Sequence, residues 1–299
     1  WTDVDVHYIP YLRPILASLA QKGEVVLAID GSGVGKDCMA LMISAIWRGR
    51  AIPLTWLVRQ AKKGHFPESM HLEVINSLAG LLEAIGLATA KITLVGDGEF
   101  DGKGLQQACL NHGWNYVVRT SKNTLIADNP EMENSSVISD LEENEGSNHL
   151  MLKDMYVTTE AFGPVAIIYL HDKKYKDPIY WLTNLECALD AQWYYQKRFT
   201  IETFFGDIKS RGFHIHKTKI DNPETLHNLL IVACLAFILA VLFEFDARKS
   251  PIIAQFCRKD RLNDYSVFQI GYRGIKHYIK KGLQIFFDFS KNFPVELQI

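Results

Sequence analysis

The chain of 299 residues has a net charge of −2 and 48% hydrophobic residues, enough apolar content to bury one large core. That balance excludes a uniformly basic nucleic-acid binder. The five cysteines show neither a C-x-x-C nor a paired spacing, which excludes a zinc knuckle and a disulfide framework and points to a reducing compartment.

The chain opens on Trp1 rather than Met, which implies an N-terminal portion beyond this sequence. Ile9 to Gln21 reads as a helix, and the stretch Gly23 to Asp37 (GEVVLAIDGSGVGKD) follows it. A phosphate-cradling Walker loop fails here, because Asp30 stands where its first glycine belongs and Asp37 where its hydroxyl belongs. A dinucleotide fingerprint fails too, since it needs glycine at Lys36. There remains an apolar strand, Val25 to Ile29, that delivers Asp30 at its end, followed by a flexible turn. Taken alone, Asp30-Gly31 is either a hairpin turn or the start of a metal site.

Cys38 to Trp47 and Ala51 to Arg59 are apolar runs separated by Arg48-Gly49-Arg50, a hairpin signal. His71 to Ile85 has helical spacing, and Ile92 to Asp97 is a second apolar strand ending in an acid. A helix over Lys103 to His112 and a strand over Trp114 to Arg119 complete a mixed α/β layout. Glu99 and Asp101 lie past the strand end and read as turn residues. From Asn123 to Asn184 the pattern becomes an acidic polar loop (129 to 148) and then β-rich runs, as expected of an inserted subdomain. Trp181, within that block, reads as β-core packing.

Helices resume at Ala188. Taking Asp190 to Lys219 as one helix with Tyr195 at zero, Arg198, Glu202 and Lys209 fall near about −60°, −20° and −40°. Ile201, Phe204, Phe205 and Ile208 form the neighbouring apolar stripe. Geometry leaves two readings open for the polar face, a site or an exposed salt-bridged stripe. His214 and His216 lack cysteine partners and read as surface residues or residues facing a nucleic acid. Lysines, arginines and these histidines crowd residues 197 to 219, and a second basic region runs from Arg248 to Lys281. Leu229 to Phe243 is apolar all round yet shorter than the roughly 20 residues of a membrane span, so a buried helix contacting Phe204 or Phe205 is expected and no membrane.

The gaps in Tyr195, Arg198, Glu202 and Lys209 match Y-x2-R-x3-E-x6-K, and here the sequence resembles the DDE transposases of bacterial insertion sequences. GEVVLAIDGS around Asp30, WRGRAIPLTW at residues 47 to 56 and LVGDGEFDG around Asp97 extend the likeness over about residues 23 to 245. The resemblance implies an RNase H-like α/β fold, a mixed sheet flanked by helices, with a β-rich insertion before the last catalytic helix. It divides the chain into an N-terminal remnant (1–22), a catalytic domain (23–122 and 185–245), the insertion (123–184) and a C-terminal helical region (246–299).

It further implies metal-dependent cleavage and strand transfer on double-stranded DNA, at terminal inverted repeats and in a target, by a homodimer in the bacterial cytoplasm at the nucleoid. Asp30, Asp97 and Glu202 would be the catalytic acids and the ligands of two Mg²⁺ ions, with Mn²⁺ as a substitute. Arg198 and Lys209 would hold phosphates, and Tyr195 would stack on a base or donate to a phosphate. Some members of the family use a tryptophan in the insertion to hold a flipped base, the alternative to core packing for Trp181. Lys36 and the glycines after Asp30 would form a turn that admits DNA closely. An RNase H-like nuclease without strand transfer and an inactive DNA-binding remnant are the alternatives.

Overall fold

The computed structural model describes residues 4–61, 66–141, 149–171, 177–248, 251–258 and 264–285. Parts of four anticipated segments therefore lie outside the described residues: 1–3 of the N-terminal stretch, 62–65 of the catalytic domain, 142–148 and 172–176 of the insertion, and 249–250, 259–263 and 286–299 of the C-terminal region.

Two short helices, α1 (Val4–His7) and α2 (Ile9–Gln21), lead into three hairpinned strands, β1 (Glu24–Gly35), β2 (Cys38–Trp47) and β3 (Arg50–Gln60). Arg48 and Gly49 both take positive φ, 47° and 71°, which gives the second hairpin its tight primed-type turn where the sequence signals one. The first hairpin differs from expectation. β1 runs straight through the glycines to Gly35, and the chain reverses at Lys36 and Asp37, not at Asp30-Gly31. The glycines serve close packing. A Cβ on Gly31 would stand 2.1 Å from the Phe66 ring, and one on Gly35 would stand 2.6 Å from Leu226. They face protein side chains, so the idea that they form a turn admitting DNA is set aside. Lys36 likewise lies 3.9 Å from Asp221 in an exposed ion pair.

Next come α3 (Glu68–Ala84), β4 (Lys91–Gly96), α4 (Lys103–Asn111) and β5 (Asn115–Arg119), each within a few residues of its predicted span. The strand order β3-β2-β1-β4-β5, with β2 antiparallel to β1 and with β4 and β5 parallel to it, is the RNase H-like sheet. Five further strands extend this sheet: β6 (Leu125–Ala127), β7 (Ser136–Val137), β8 (His149–Val157), β9 (Phe162–Leu170) and β10 (Ile179–Thr183). The join is antiparallel pairing of β10 with β5, Trp181 opposite Arg119.

The expected single helix is two, α5 (Ala188–Gln196) and α6 (Phe199–Ile208). Across Lys197 and Arg198 the amides reach back three residues, to Tyr194 and Tyr195 at 2.9 Å each, and this tight turn separates them. Helix α7 (Pro223–Ala247) then crosses the core against β3. Phe237 meets Phe204 edge to face at 4.9 Å, the contact expected of a core helix. By length and composition Pro223–Phe245 could cross a membrane, but 67% of its most apolar window is buried inside this protein. Helix α8 (Val267–Lys281) packs on α7.

Candidate active site

Asp30 stands on β1, which lies between β2 and β4 in the sheet. The β1–β4 register pairs Ala28 with Val95, so two residues further on Asp30 falls level with Asp97, the first residue past β4. Parallel neighbours lie about 4.8 Å apart, and the two acids therefore emerge side by side. Asp30 Oδ1 accepts the Gly31 N–H at 2.7 Å, and Asp97 Oδ1 accepts the Glu99 N–H at 3.0 Å. Burial raises the Asp30 carboxyl to about 6, helped by the nearby charges of Asp97 and Glu202 and opposed by the Gly31 N–H and Arg198.

Glu202 sits in the first turn of α6, where the helix dipole favours an acid. It is half exposed and bound to Arg198, whose Nη2 donates to Oε1 at 2.5 Å. The same guanidinium, only 9% exposed, lies 4.0 Å from Asp30 Oδ2. Arg198 thus bridges two of the three predicted acids. Lys209 caps the end of α6, and its Nζ donates to Ser32 Oγ on the same face of β1 as Asp30. Burial lowers the Lys209 ammonium, with Asp30 working the other way.

Tyr195 requires a correction. It is 5% exposed, 5.1 Å from Trp181 ring to ring, and the Arg198 guanidinium lies 5.8 Å from its ring centre. A base cannot stack on a ring so enclosed, and in this arrangement Tyr195 supports Arg198 from behind. Trp181, at 2% exposure, is core packing for the same reason. Glu99 and Asp101 hold the local chain together, Glu99 accepting the Phe66 N–H and Asp101 the Thr120 hydroxyl at 2.7 Å. His214 and His216 are exposed.

Whether a divalent cation fits is a matter of donor chemistry. Carboxylate oxygens suit hard cations, and a positive charge beside Asp30 would relieve the repulsion that helps raise it. Asp30 and Asp97 supply two fixed donors. Glu202 is turned to Arg198, and among the described residues no three His, Cys, Asp or Glu side chains are gathered as a ready-made metal cluster. The anticipated three-carboxylate pocket is thus two parts strand and one part helix residue engaged elsewhere.

A cleft of about 600 Å³ opens beside these acids, lined by Asp97, Arg198, Arg119, Lys122 and Tyr180 among others. Sequence reading missed Arg119 and Lys122. Their signal was position, since they stand at and just past the carboxyl end of β5, on the edge where the central parallel strands all end.

Sheet order and paired strand-end acids define the class, an RNase H-like domain with an acidic centre and a basic cleft. The chain belongs to the transposase DDE domain family, whose sequence profile matches residues 21–239. Among curated proteins none matches the chain. In three dimensions it is similar to Ciona intestinalis endonuclease V in complex with a 24mer DNA, at 14% identity and TM-score 0.32, covering 63% of this chain and 87% of that one. It is also similar to the catalytic domain of human endonuclease V (12%, TM-score 0.31, covering 70% and 80%) and to the NurA nuclease from Sulfolobus solfataricus (9%, 0.31, 76% and 94%). These likenesses are shallow in sequence and in shape.

Proposed function

We propose that this chain is the catalytic body of a bacterial insertion-sequence transposase that cuts double-stranded DNA at terminal inverted repeats and joins the ends to target DNA. Family membership supports the general reading, an enzyme of the DNA transposase and nuclease type. The observation that carries the site is the level placement of Asp30 and Asp97 on adjacent parallel strands, with Glu202 one guanidinium away. Two Mg²⁺ ions on these three acids, or Mn²⁺ in their place, would activate the attacking oxygen and stabilise the leaving one.

The protein's own residues do the rest. The strand ends hold Asp30 and Asp97 rigid, so the acids need no reorganisation when DNA arrives. Arg198 and Lys209 neutralise phosphates near the scissile bond, and Arg119 and Lys122 line the cleft that receives a strand. Residues 23–122 and 185–245 form the catalytic domain, 123–184 the insertion and 246–299 a C-terminal helical region. The active complex is a homodimer pairing two ends at the bacterial nucleoid.

The test supplies pre-cut end DNA, taken from the sequence flanking the gene, with a target plasmid and Mg²⁺. Joined product supports the proposal. Cleavage of uncut ends without any joining would leave a nuclease, and absence of both would remove the enzyme reading.

A further inference from the structure

Helix α8 carries a basic face that the site above does not use. Its residues include Arg273, Lys276, Lys280 and Lys281 and no acid. Two glycines fix how that face is presented. A Cβ on Gly271 would stand 1.7 Å from the Ala240 carbonyl oxygen, and one on Gly274 2.3 Å from the Phe243 ring, so α8 lies tightly against α7 and its other side is held outward. There a cleft of about 340 Å³ is lined by Arg211, Arg273, Lys276, Gln269, Tyr272 and Phe256.

The cations in this cleft are pre-arranged. Arg273 stacks 3.9 Å over Tyr265, and Lys276 lies 5.0 Å over Tyr272. A stacked guanidinium keeps its edge N–H groups free for a forked acceptor. Among the described residues neither Arg273 nor Lys276 has a carboxylate partner. Arg211 is anchored by Asp207 at 3.1 Å and by the Thr203 carbonyl at 2.8 Å.

Arg211 also links this cleft to the acidic centre. Its guanidinium lies across Gly206, where an added Cβ would meet Nη2 at 2.2 Å. Gly206 is one turn beyond Glu202 on the same face of α6, about 6 Å along the axis. The basic strip therefore begins one helical turn from a proposed catalytic acid and continues onto α8.

We infer that Arg211, Arg273 and Lys276 form a second phosphate-backbone contact, which holds duplex DNA flanking the cleavage point. The inference rests on the proposed function for its choice of DNA over another polyanion. A random-sequence 30-base-pair duplex is titrated by fluorescence anisotropy at several salt concentrations, with the full chain and with Arg273→Ala/Lys276→Ala. The double variant should bind at least about tenfold more weakly at 0.1 M salt, and its log–log salt slope should fall by roughly two. Arg273→Lys/Lys276→Arg should keep most of the slope, and unchanged circular dichroism melting confirms that the variants fold. An unchanged slope in the double variant overturns the inference even if the wild type cuts DNA. Loss of binding to phosphatidylserine vesicles with no change on duplex DNA overturns it as well. A fallen slope in a protein that never cuts or joins DNA upholds the surface and removes the transposase reading instead.

Discussion

Replacing Asp30 by asparagine in metal-free buffer removes a carboxylate whose ionisation the fold opposes. Burial, with Asp97 and Glu202 nearby, holds the group at about 6 where a free one has 3.8. At about 1.4 kcal/mol for each pH unit this corresponds to about 3 kcal/mol against the ionised native state. The sign follows from which state holds the proton more tightly. The folded carboxyl does, so this contribution is intact below about pH 4, falls as pH rises towards 6 and is lost above it. An asparagine does not titrate and still accepts the Gly31 N–H, though it gives up the attraction to Arg198 at 4.0 Å. Asp30→Asn should therefore match the wild type near pH 4 and exceed it by about 1–3 kcal/mol at pH 8, a gain of a few degrees in Tm for a chain of this size. Denaturant unfolding at the two pH values, with EDTA present, measures the difference. Adding Mg²⁺ should stabilise the wild type alone and narrow the gap, and the variant should show no cleavage activity. A gap of equal size at both pH values, or a variant less stable at pH 8, would refute the reasoning.

Glu202→Gln should abolish Mg²⁺-dependent strand cleavage and leave duplex binding intact or slightly tighter, because a negative charge beside DNA is gone; a gel cleavage assay paired with anisotropy reads both. Lys209→Ala, which also ends the Ser32 contact, should weaken binding and lower the salt slope by roughly one unit while some cleavage survives at saturating DNA. Gly31→Ala forces a methyl into the Phe66 ring and should cost about 1–3 kcal/mol in denaturant unfolding. Phe204→Ala, which empties the contact with Phe237, should cost about 3–5 kcal/mol in the same measurement.

Much of this architecture could be read in advance because its signals are local. Val25 to Ile29 and Ile92 to Gly96 are buried on both faces, and such strands print themselves as unbroken apolar runs. Arg48-Gly49 needs positive φ at both places and advertises it with glycine. The first hairpin was misplaced because glycine has two physical uses. At Gly49 it bends the chain, and at Gly31 and Gly35 it makes room for Phe66 and Leu226, partners that lie 35 and 191 residues away in sequence and leave no mark beside the glycines. Periodicity could not tell these apart.

The polar face running from Tyr195 to Lys209 shows the same limit in another form. A spacing of three, four and seven states which side chains share a direction, and α5 and α6 respect it well enough that Arg198, Glu202 and Lys209 all come near β1. It does not state depth. Tyr195 lies on the buried side of that direction because Trp181, delivered from the insertion through the β5–β10 pairing, closes over it. Nor does it state partners, which charge decides. With the carboxyl groups of Asp30 and Glu202 on either side of it, the Arg198 guanidinium settles where it serves both, 2.5 Å from one and 4.0 Å from the other. A phosphate competes for the same N–H groups with a similar forked geometry. Under the proposed function Arg198 would couple DNA binding to the freedom of Glu202 to turn towards Asp30 and Asp97, a consequence of placing one buried cation between two acids.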